Sequence, residues 1–453
     1  MTKEFKQSKT FLGAVSIIKT LKKHNFNSFI CGGAVRDIIL GFEPKDIDIA
    51  TSATPDQVES LFKKTIPVGK QFGIIVVLMD GEEFEVASFR NDGNYTDGRR
   101  PDSIVFSTPK EDASRRDLTI NGLFFNPLTN EVIDFVDGKA DIEAKKIRFI
   151  GNAEERIEED RLRIVRAVRF TARLGFEMDD DTFKAIKKNA HRIHDVSVER
   201  IKDELDKMMA MEKPSVAFEL LHKTGLLAHI LPEVDALVGA EQSKKWHQEG
   251  DIWTHTMLVL DNTRKRTKDL HALWGALLHD IGKPGTALIK EDGDISNHGH
   301  DKLGAEMALN ILIRLKSSND EKSAVTAIVS DHMKPGQSMD MNKSTLRRIV
   351  ALPHFDKLMA VAEADCESSI PADKDKEDGK MFGTTHLRKF ASEMGEVKVL
   401  PAPIITGRHL IDLGLKPGPK FKEILRTLMD MQLEGEIQSV EDGLHIVKSM
   451  IGD

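Results

Sequence analysis

The chain has 453 residues, 40 % hydrophobic and 30 % charged, enough for about two to four domains with real cores, which excludes a disordered chain. A polar N-terminus, only two cysteines (Cys31 and Cys366) and no apolar run near the roughly 18 residues of a membrane helix exclude a disulfide framework and a cysteine-rich zinc site, and point to a soluble cytoplasmic protein. A net charge of −8 argues against nonspecific polyanion binding, but it hides five arginines and no acid within 161–173 and a histidine cluster between 247 and 332.

In chain order, residues 1–140 read as mixed α/β. A helix over about 10–24 leads to a strand, Ser28–Cys31, and Gly32-Gly33 turns the chain into a second helix, Ala34–Leu40. Asp46–Ala50 alternates as a strand, and Pro55–Lys64 reads as a helix. Ile74–Met79 and Phe84–Phe89 are strands around Asp80-Gly81, a hairpin signal. Residues 91–113 form a polar loop with a short strand near 104–106, of a length that usually serves function. From 141 onward the pattern is helical. Ile157–Arg173, Thr182–Asn189, Ser197–Met211 and Ser215–Thr224 carry apolar residues at 3–4 spacing, and 241–370 is helical but rich in His and Asp. The charged run Asp373–Lys380 reads as a solvated loop.

Asp46 and Asp48 flank Ile47 on one strand, so their carboxylates share a face, with Cα atoms roughly 6.6 Å apart. Such a pair can hold two Mg²⁺ ions around a transferring phosphate, one activating the attacking hydroxyl and one stabilising the leaving pyrophosphate. Upstream, Cys31-Gly32-Gly33-Ala34-Val35-Arg36-Asp37 joins strand to helix. The glycines admit a triphosphate to the backbone, the helix start favours anions, and Arg36 supplies a fork of donors. Separately these are a solvated acid pair and a turn; together they suggest a nucleotide held by metals. Arg115-Arg116-Asp117 with Asn121 follows, and Asp117 suits ribose hydroxyls or Arg116. Asp160, Arg163, Arg166 and Arg169 stand three apart on one helix, a ridge without lysine that suits planar recognition. A carboxylate accepts from the exocyclic amine of C or A, and an arginine donates to the adjacent ring nitrogen. In G and U that nitrogen is protonated and the exocyclic group is a carbonyl, so one Asp–Arg pair can accept C and A and reject G and U. Glu83 and Glu85 share a face of the neighbouring strand and read first as edge-strand charges, with a third carboxylate of the site as the alternative for either.

The motifs GGAVRD (32–37), DIDIATSATP (46–55), RRDLTIN (115–121), EEDRLRIVRAVRF (158–170) and VERIKDEL (198–205) resemble the class II tRNA nucleotidyltransferases, in order and spacing. That family comprises the CCA-adding enzymes and their bacterial poly(A) polymerase relatives. The resemblance covers 25 to about 225, with a further match at 405–435. It implies an α/β nucleotidyltransferase palm, a polymerase-beta-like mixed sheet with helices, over 1–140. Mostly α-helical parts follow: neck and body at 141–235, an HD domain at 236–370 and a tail at 371–453. It implies Asp46 and Asp48 as Mg²⁺ ligands, Gly32, Gly33 and Arg36 at the nucleotide phosphates, and Arg116 and Asp117 at the nucleotide and its ribose. Asp160 and Arg163 would read the base, Arg166 and Arg169 would support the triphosphate, and Glu199-Arg200 would brace the neck. Leu118 stands where the family usually has Phe, and Gly122 where CCA-adding members often have Ala. The implied activity is template-independent addition of CCA, from CTP and ATP, to the tRNA 3′ end. A-adding enzymes and poly(A) polymerases are the family's alternatives, and the long 91–113 loop disfavours a CC-only enzyme.

A second constellation comprises His255, His279-Asp280, His298, His300, Asp331-His332 and Asp365. Mixtures of imidazole and carboxylate suit Ni, Mn, Co, Fe or Mg with open water positions, and a metal-bound water can attack a phosphoester. The pattern resembles the HD phosphohydrolase superfamily. That likeness implies His255, His279, Asp280 and Asp365 as core ligands, His300 and His332 as ligands of a second metal, and phosphatase or cyclic phosphodiesterase activity.

Overall fold

The computed structural model describes residues 5–92, 104–372, 379–395 and 399–451. It forms two compact units, Met1–Met211 with Val216–Pro232, and Glu212–Ser215 with Glu233–Asp453. No helix among the described residues is long and apolar enough to cross a membrane.

The first unit opens with helix α1 (Lys9–Lys23), capped by the Ser8 hydroxyl, then strand β1 (Ser28–Cys31) and helix α2 (Gly33–Leu40). Strand β2 (Asp48–Thr51) and helix α3 (Pro55–Leu61) follow, then β3 (Thr65–Ile66), β4 (Ile74–Met79) and β5 (Glu82–Ser88). Asp80 and Gly81 both take positive φ (54° and 87°), as the expected tight hairpin requires. The 91–113 segment is less loop-like than expected. Strands β6 (Arg90–Asp92) and β7 (Ile104–Phe106) pair, and α4 (Pro109–Ser114) starts from a Thr108–Glu111 capping box; residues 93–103 lie outside the described residues. With β8 (Phe124–Asn126) and β9 (Glu131–Ile133), the main sheet runs β3-β4-β5-β2-β1-β8-β9. Within this sheet, among the described residues, only β2 and β5 are parallel. Cys31 lies opposite Asp48 and Ile49 opposite Val86, so the glycine turn, the acids and Glu85 converge at one end of the sheet. Cys31, Ala50, Phe89, Ala113 and Phe124 pack beneath this end.

Helices α5 (Gly138–Glu143), α6 (Ala153–Glu159) and α7 (Arg163–Leu174) come next. The expected continuous helix across 157–173 is broken. Asp160 is extended (φ −145°), and its Oδ1 accepts the Leu162 N–H at 3.1 Å. A short acid that satisfies a local N–H ends one helix and starts the next. Helices α8 (Asp180–Asn189), α9 (Val198–Met209), α10 (Pro214–Lys223), α11 (Leu226–Ile230) and α12 (Pro232–Asp235) follow.

The second unit is helical. Its core elements are α13 (Ile252–Arg266), α14 (Leu270–Leu278), the short α15 (Lys283–Thr286), α16 (His300–Arg314), α17 (Asn319–Asp331), α18 (Lys343–Val350) and α19 (Phe355–Ser368). Val259, Leu260, Trp274, Leu277, Leu358 and Val361 are fully buried among them. Near the C-terminus Leu410, Leu428, Ile437 and Val447 close a smaller core.

Candidate active sites

In the first unit all eleven expected residues line one cleft of about 1050 Å³: Gly32, Gly33, Arg36, Asp46, Asp48, Arg116, Asp117, Asp160, Arg163, Arg166 and Arg169. Gly32 has φ +71°, and a Cβ there would sit 3.0 Å from Arg116 Nη1, so the turn needs glycine twice over. Asp46 differs from expectation by lying in a bend just before β2 rather than on it. Asp48 begins β2 and opens onto the cleft. Desolvation by the surrounding protein, then the charges of Glu85 and Asp46 against the opposing pull of Arg116, push its carboxyl up to about 6. Glu85 is therefore no edge-strand charge. Its strand β5 lies between β4 and β2, and Glu83 and Glu85 line the cleft. Asp46, Asp48 and Glu85 on one wall of the cleft form a donor set suited to a hard divalent cation such as Mg²⁺.

The arginines are each held in place. Arg36, 2 % exposed, donates to Asp37 Oδ1 at 2.7 and 2.8 Å and to Asn121 Oδ1 at 2.7 Å. Arg116 pairs with Asp112 Oδ2 at 3.1 Å. Asp117 pairs with Arg166 rather than with Arg116. It accepts from Arg166 at 2.6 and 2.8 Å and from the Leu118 N–H at 2.8 Å. Burial opposes the ionisation of Asp117, but Arg166 outweighs it and holds the carboxyl far below the usual range. Arg169 donates to Glu204 at 2.5 Å.

The ridge is replaced by two separately anchored groups. Asp160 Oδ2 accepts from Arg200 Nη2 at 2.7 Å, so Arg200 touches the acid that the resemblance assigns to the base. Arg163 is held by Glu159 at 2.5 Å and by the carbonyl oxygens of Arg115 and Arg156 at 2.8 and 3.1 Å. Sequence reading missed Arg173 and Lys207, which also line the cleft. Their only signal is position on helices that carry better-marked residues.

In the second unit the six expected residues form one cluster centred on Asp280. His279 Nε2 lies 3.1 Å from its Oδ2, and His255 Nε2 lies 3.8 Å from the same oxygen. His300 and His332 Nε2 lie 3.4 and 3.9 Å from Oδ1. Asp365 Oδ1 lies 3.0 Å from His255 Nε2. Two ligand triads, His255-His279-Asp280 and Asp280-His300-His332, thus share one carboxylate. The Nδ1 atoms of His279, His300 and His332 face backbone carbonyl oxygens at 2.8, 2.7 and 2.7 Å. A carbonyl only accepts, so each Nδ1 is protonated and each Nε2 presents a lone pair. Burial, then neighbouring His279, pushes His332 down to about 4, which keeps it neutral. His300 and His332 bring two Nε2 atoms within 3.2 Å, and His279 Nε2 is buried without a hydrogen bond. Nε2 atoms converging on one shared carboxylate are the donor set of a divalent metal. Asp280, His300, His332 and Asp365 also line a cavity of about 730 Å³ with Lys283, Lys290 and Lys334. Gly282 permits this arrangement, since a Cβ there would lie 2.2 Å from the His300 carbonyl oxygen. His298 lines the cavity but joins neither triad.

An acidic cleft backed by arginines on a mixed sheet is the site of a nucleotidyltransferase, and the histidine–aspartate cluster is that of an HD domain. Family models agree: a poly A polymerase head domain matches 28–148, a "probable RNA and SrmB- binding site of polymerase A" matches 175–238, and an HD domain matches 252–365. The CCA-adding enzyme of Geobacillus thermodenitrificans is 37 % identical over 437 residues, 96 % of each chain. That of Bacillus pumilus is 41 % identical over 273 residues, 60 % of this chain and 64 % of that enzyme. The crystal structure of the Bacillus stearothermophilus CCA-adding enzyme in complex with CTP superposes with a TM-score of 0.67 at 27 % identity, covering 96 % of this chain and 95 % of that one. The chain belongs to the CCA-adding enzyme family.

Proposed function

We infer that this protein completes the 3′ end of tRNA in the cytoplasm, adding C, C and A from CTP and ATP without a nucleic-acid template. The observation that carries the reading is the convergence of Asp46, Asp48, Arg36, Asp117, Asp160 and Arg163 on one cleft in a chain that aligns end to end with a CCA-adding enzyme. Asp46 and Asp48 hold Mg²⁺, with Glu85 beside them; the chemistry supplied there is a lowered pKa for the attacking 3′ hydroxyl and charge neutralisation of the departing pyrophosphate. Gly33 and Arg36 bind the triphosphate at the start of α2. Arg166, fixed by Asp117, and Arg169, fixed by Glu204, add positive charge already in position. Asp160 accepts from the exocyclic amine of C or A, and Arg163 donates to the neighbouring ring nitrogen. The palm at 1–140, the neck and body at 141–235, the HD domain at 236–370 and the tail at 371–453 are the working division. The RNA is gripped by backbone and shape, so binding weakens as salt rises.

The HD cluster takes a transition metal (Ni, Mn, Co or Fe) or Mg²⁺ and hydrolyses phosphoesters. Its own residues present three Nε2 lone pairs and two carboxylates, and Lys283, 2.7 Å from Asp280 Oδ2, adds positive charge for a phosphate.

The test is incubation with Mg²⁺ and labelled tRNA ending before CCA, after C or after CC, with CTP and ATP singly and together. Self-terminating CCA on all three is expected. A single A added only to the CC-ended tRNA would make it an A-adding enzyme, and long A tails a poly(A) polymerase.

A further inference from the structure

Glu249 belongs to neither motif set, yet its carboxylate serves three donors. Its Oε1 accepts from Nδ1 of His255 at 2.8 Å and from Nδ1 of His247 at 2.7 Å, and its Oε2 accepts the Ile370 N–H at 2.9 Å. The side chain is 2 % exposed. The two imidazoles meet edge to face with centroids 4.7 Å apart. The same segment is tied to the end of α19 by Gln248 N–H to Ile370 O at 2.8 Å and Ala372 N–H to Lys245 O at 3.0 Å.

His255 is thereby set apart from the other histidines of the cluster. His279, His300 and His332 are each oriented by a backbone carbonyl of their own helix or turn. His255 is oriented by a side chain, and a charged one. A carboxylate accepts only, so the Nδ1 facing Glu249 keeps its proton, and Nε2, which shares a proton with Asp365 Oδ1 at 3.0 Å and lies 3.8 Å from Asp280 Oδ2, is the nitrogen free to exchange that proton for a metal. A carboxylate behind a ligand imidazole also raises its basicity more than a carbonyl does. The same oxygen fixes His247, which lines the cavity beside Asp280.

We propose that Glu249 is the positioning residue of the HD centre: it locks His255 in its ligating tautomer and holds His247 as a further imidazole on the substrate wall. The proposal rests on the reading of the HD cluster as a metal site. A glutamine at 249 cannot reproduce the three contacts. In one amide orientation its NH₂ faces the Ile370 N–H, donor to donor. In the other it donates to the imidazoles and drives the proton onto Nε2.

The test is calorimetric titration of Co²⁺ into the full chain, with His279→Ala as the blank for binding elsewhere. Glu249→Gln is expected to weaken the HD-site affinity about 10- to 100-fold, while His247→Ala, which removes no ligand, leaves it within about twofold. Nucleotide addition by the same preparations reports that the chain is folded. If the glutamine variant does not fold, Glu249→Asp, equally charged but one methylene shorter, carries the same expectation. Unchanged Co²⁺ affinity in Glu249→Gln, or an equal loss in His247→Ala, overturns the proposal alone. A wild-type isotherm that matches the blank overturns the HD metal reading and the proposal with it.

Discussion

Arg36, Arg116, Arg166 and Arg169 each stand against an acid: Asp37, Asp112, Asp117 and Glu204. Like charges crowded into one cleft would otherwise splay apart, and donors fixed in advance cost no reorganisation during reaction. The Asp160–Arg200 pair does the same for the acid proposed to read the base. A charge-assisted hydrogen bond is worth about 1.5–3 kcal/mol, so Arg200→Ala should lower kcat/KM for CTP and ATP about 10- to 100-fold and raise misincorporation of UTP, measured by single-turnover addition. Burial opposes ionisation of Asp112 as it does of Asp117, but Arg115 and Arg116 outweigh it, and both carboxyls sit below their ordinary range. Their folded values lie below the unfolded ones, so the stabilisation is fully present above roughly pH 4 and is lost as the pH falls through the folded values. The melting temperature of Asp117→Asn should accordingly fall less steeply with acidification than that of the wild type. Burial pushes the Cys31 thiol up to about 11. At pH 7.5 it should resist iodoacetamide in the native protein and react once the chain is unfolded, as read by peptide mass.

Two elements show where one-dimensional pattern stops. The 3–4 periodicity of 157–173 reads as one helix, but it is split into α6 and α7 at Asp160, whose extended backbone lets its side chain accept the Leu162 N–H. The break frees Asp160 for Arg200 instead of leaving it on a ridge with Arg163. Asp-x-Asp likewise reads as two residues of a strand, whereas the strand begins only at Asp48. The Gly282 turn joins α14 to α15 against the start of α16. Gly282→Ala would drive a methyl into the His300 carbonyl oxygen, moving His300 out of the cluster. The expected cost is about 1–3 kcal/mol of stability, with loss of HD metal affinity while nucleotide addition persists.

In the whole molecule, each compact unit contains one complete site. Asp46→Ala with Asp48→Ala should abolish nucleotide addition and spare phosphoester hydrolysis, and His279→Ala with Asp280→Ala should do the reverse. Loss of both activities from either pair would refute two separate sites. Much of this was legible in the chain itself. The glycine turn, the acid pair, the arginine series and the histidine–aspartate pattern are local, because backbone conformation and ligand chemistry demand particular residue types at particular spacings. Partnerships across long stretches were not legible. Arg200 reaches Asp160 across 40 residues, Arg166 reaches Asp117 across 49, and Glu249 binds the N–H of Ile370 across 121. Sequence by itself determined which groups could do chemistry and which family carries them. Only the tertiary structure decided which acid holds which arginine and which carboxylate stands behind which imidazole, because those choices are made by packing, where a buried charge must find whichever partner the fold brings within reach.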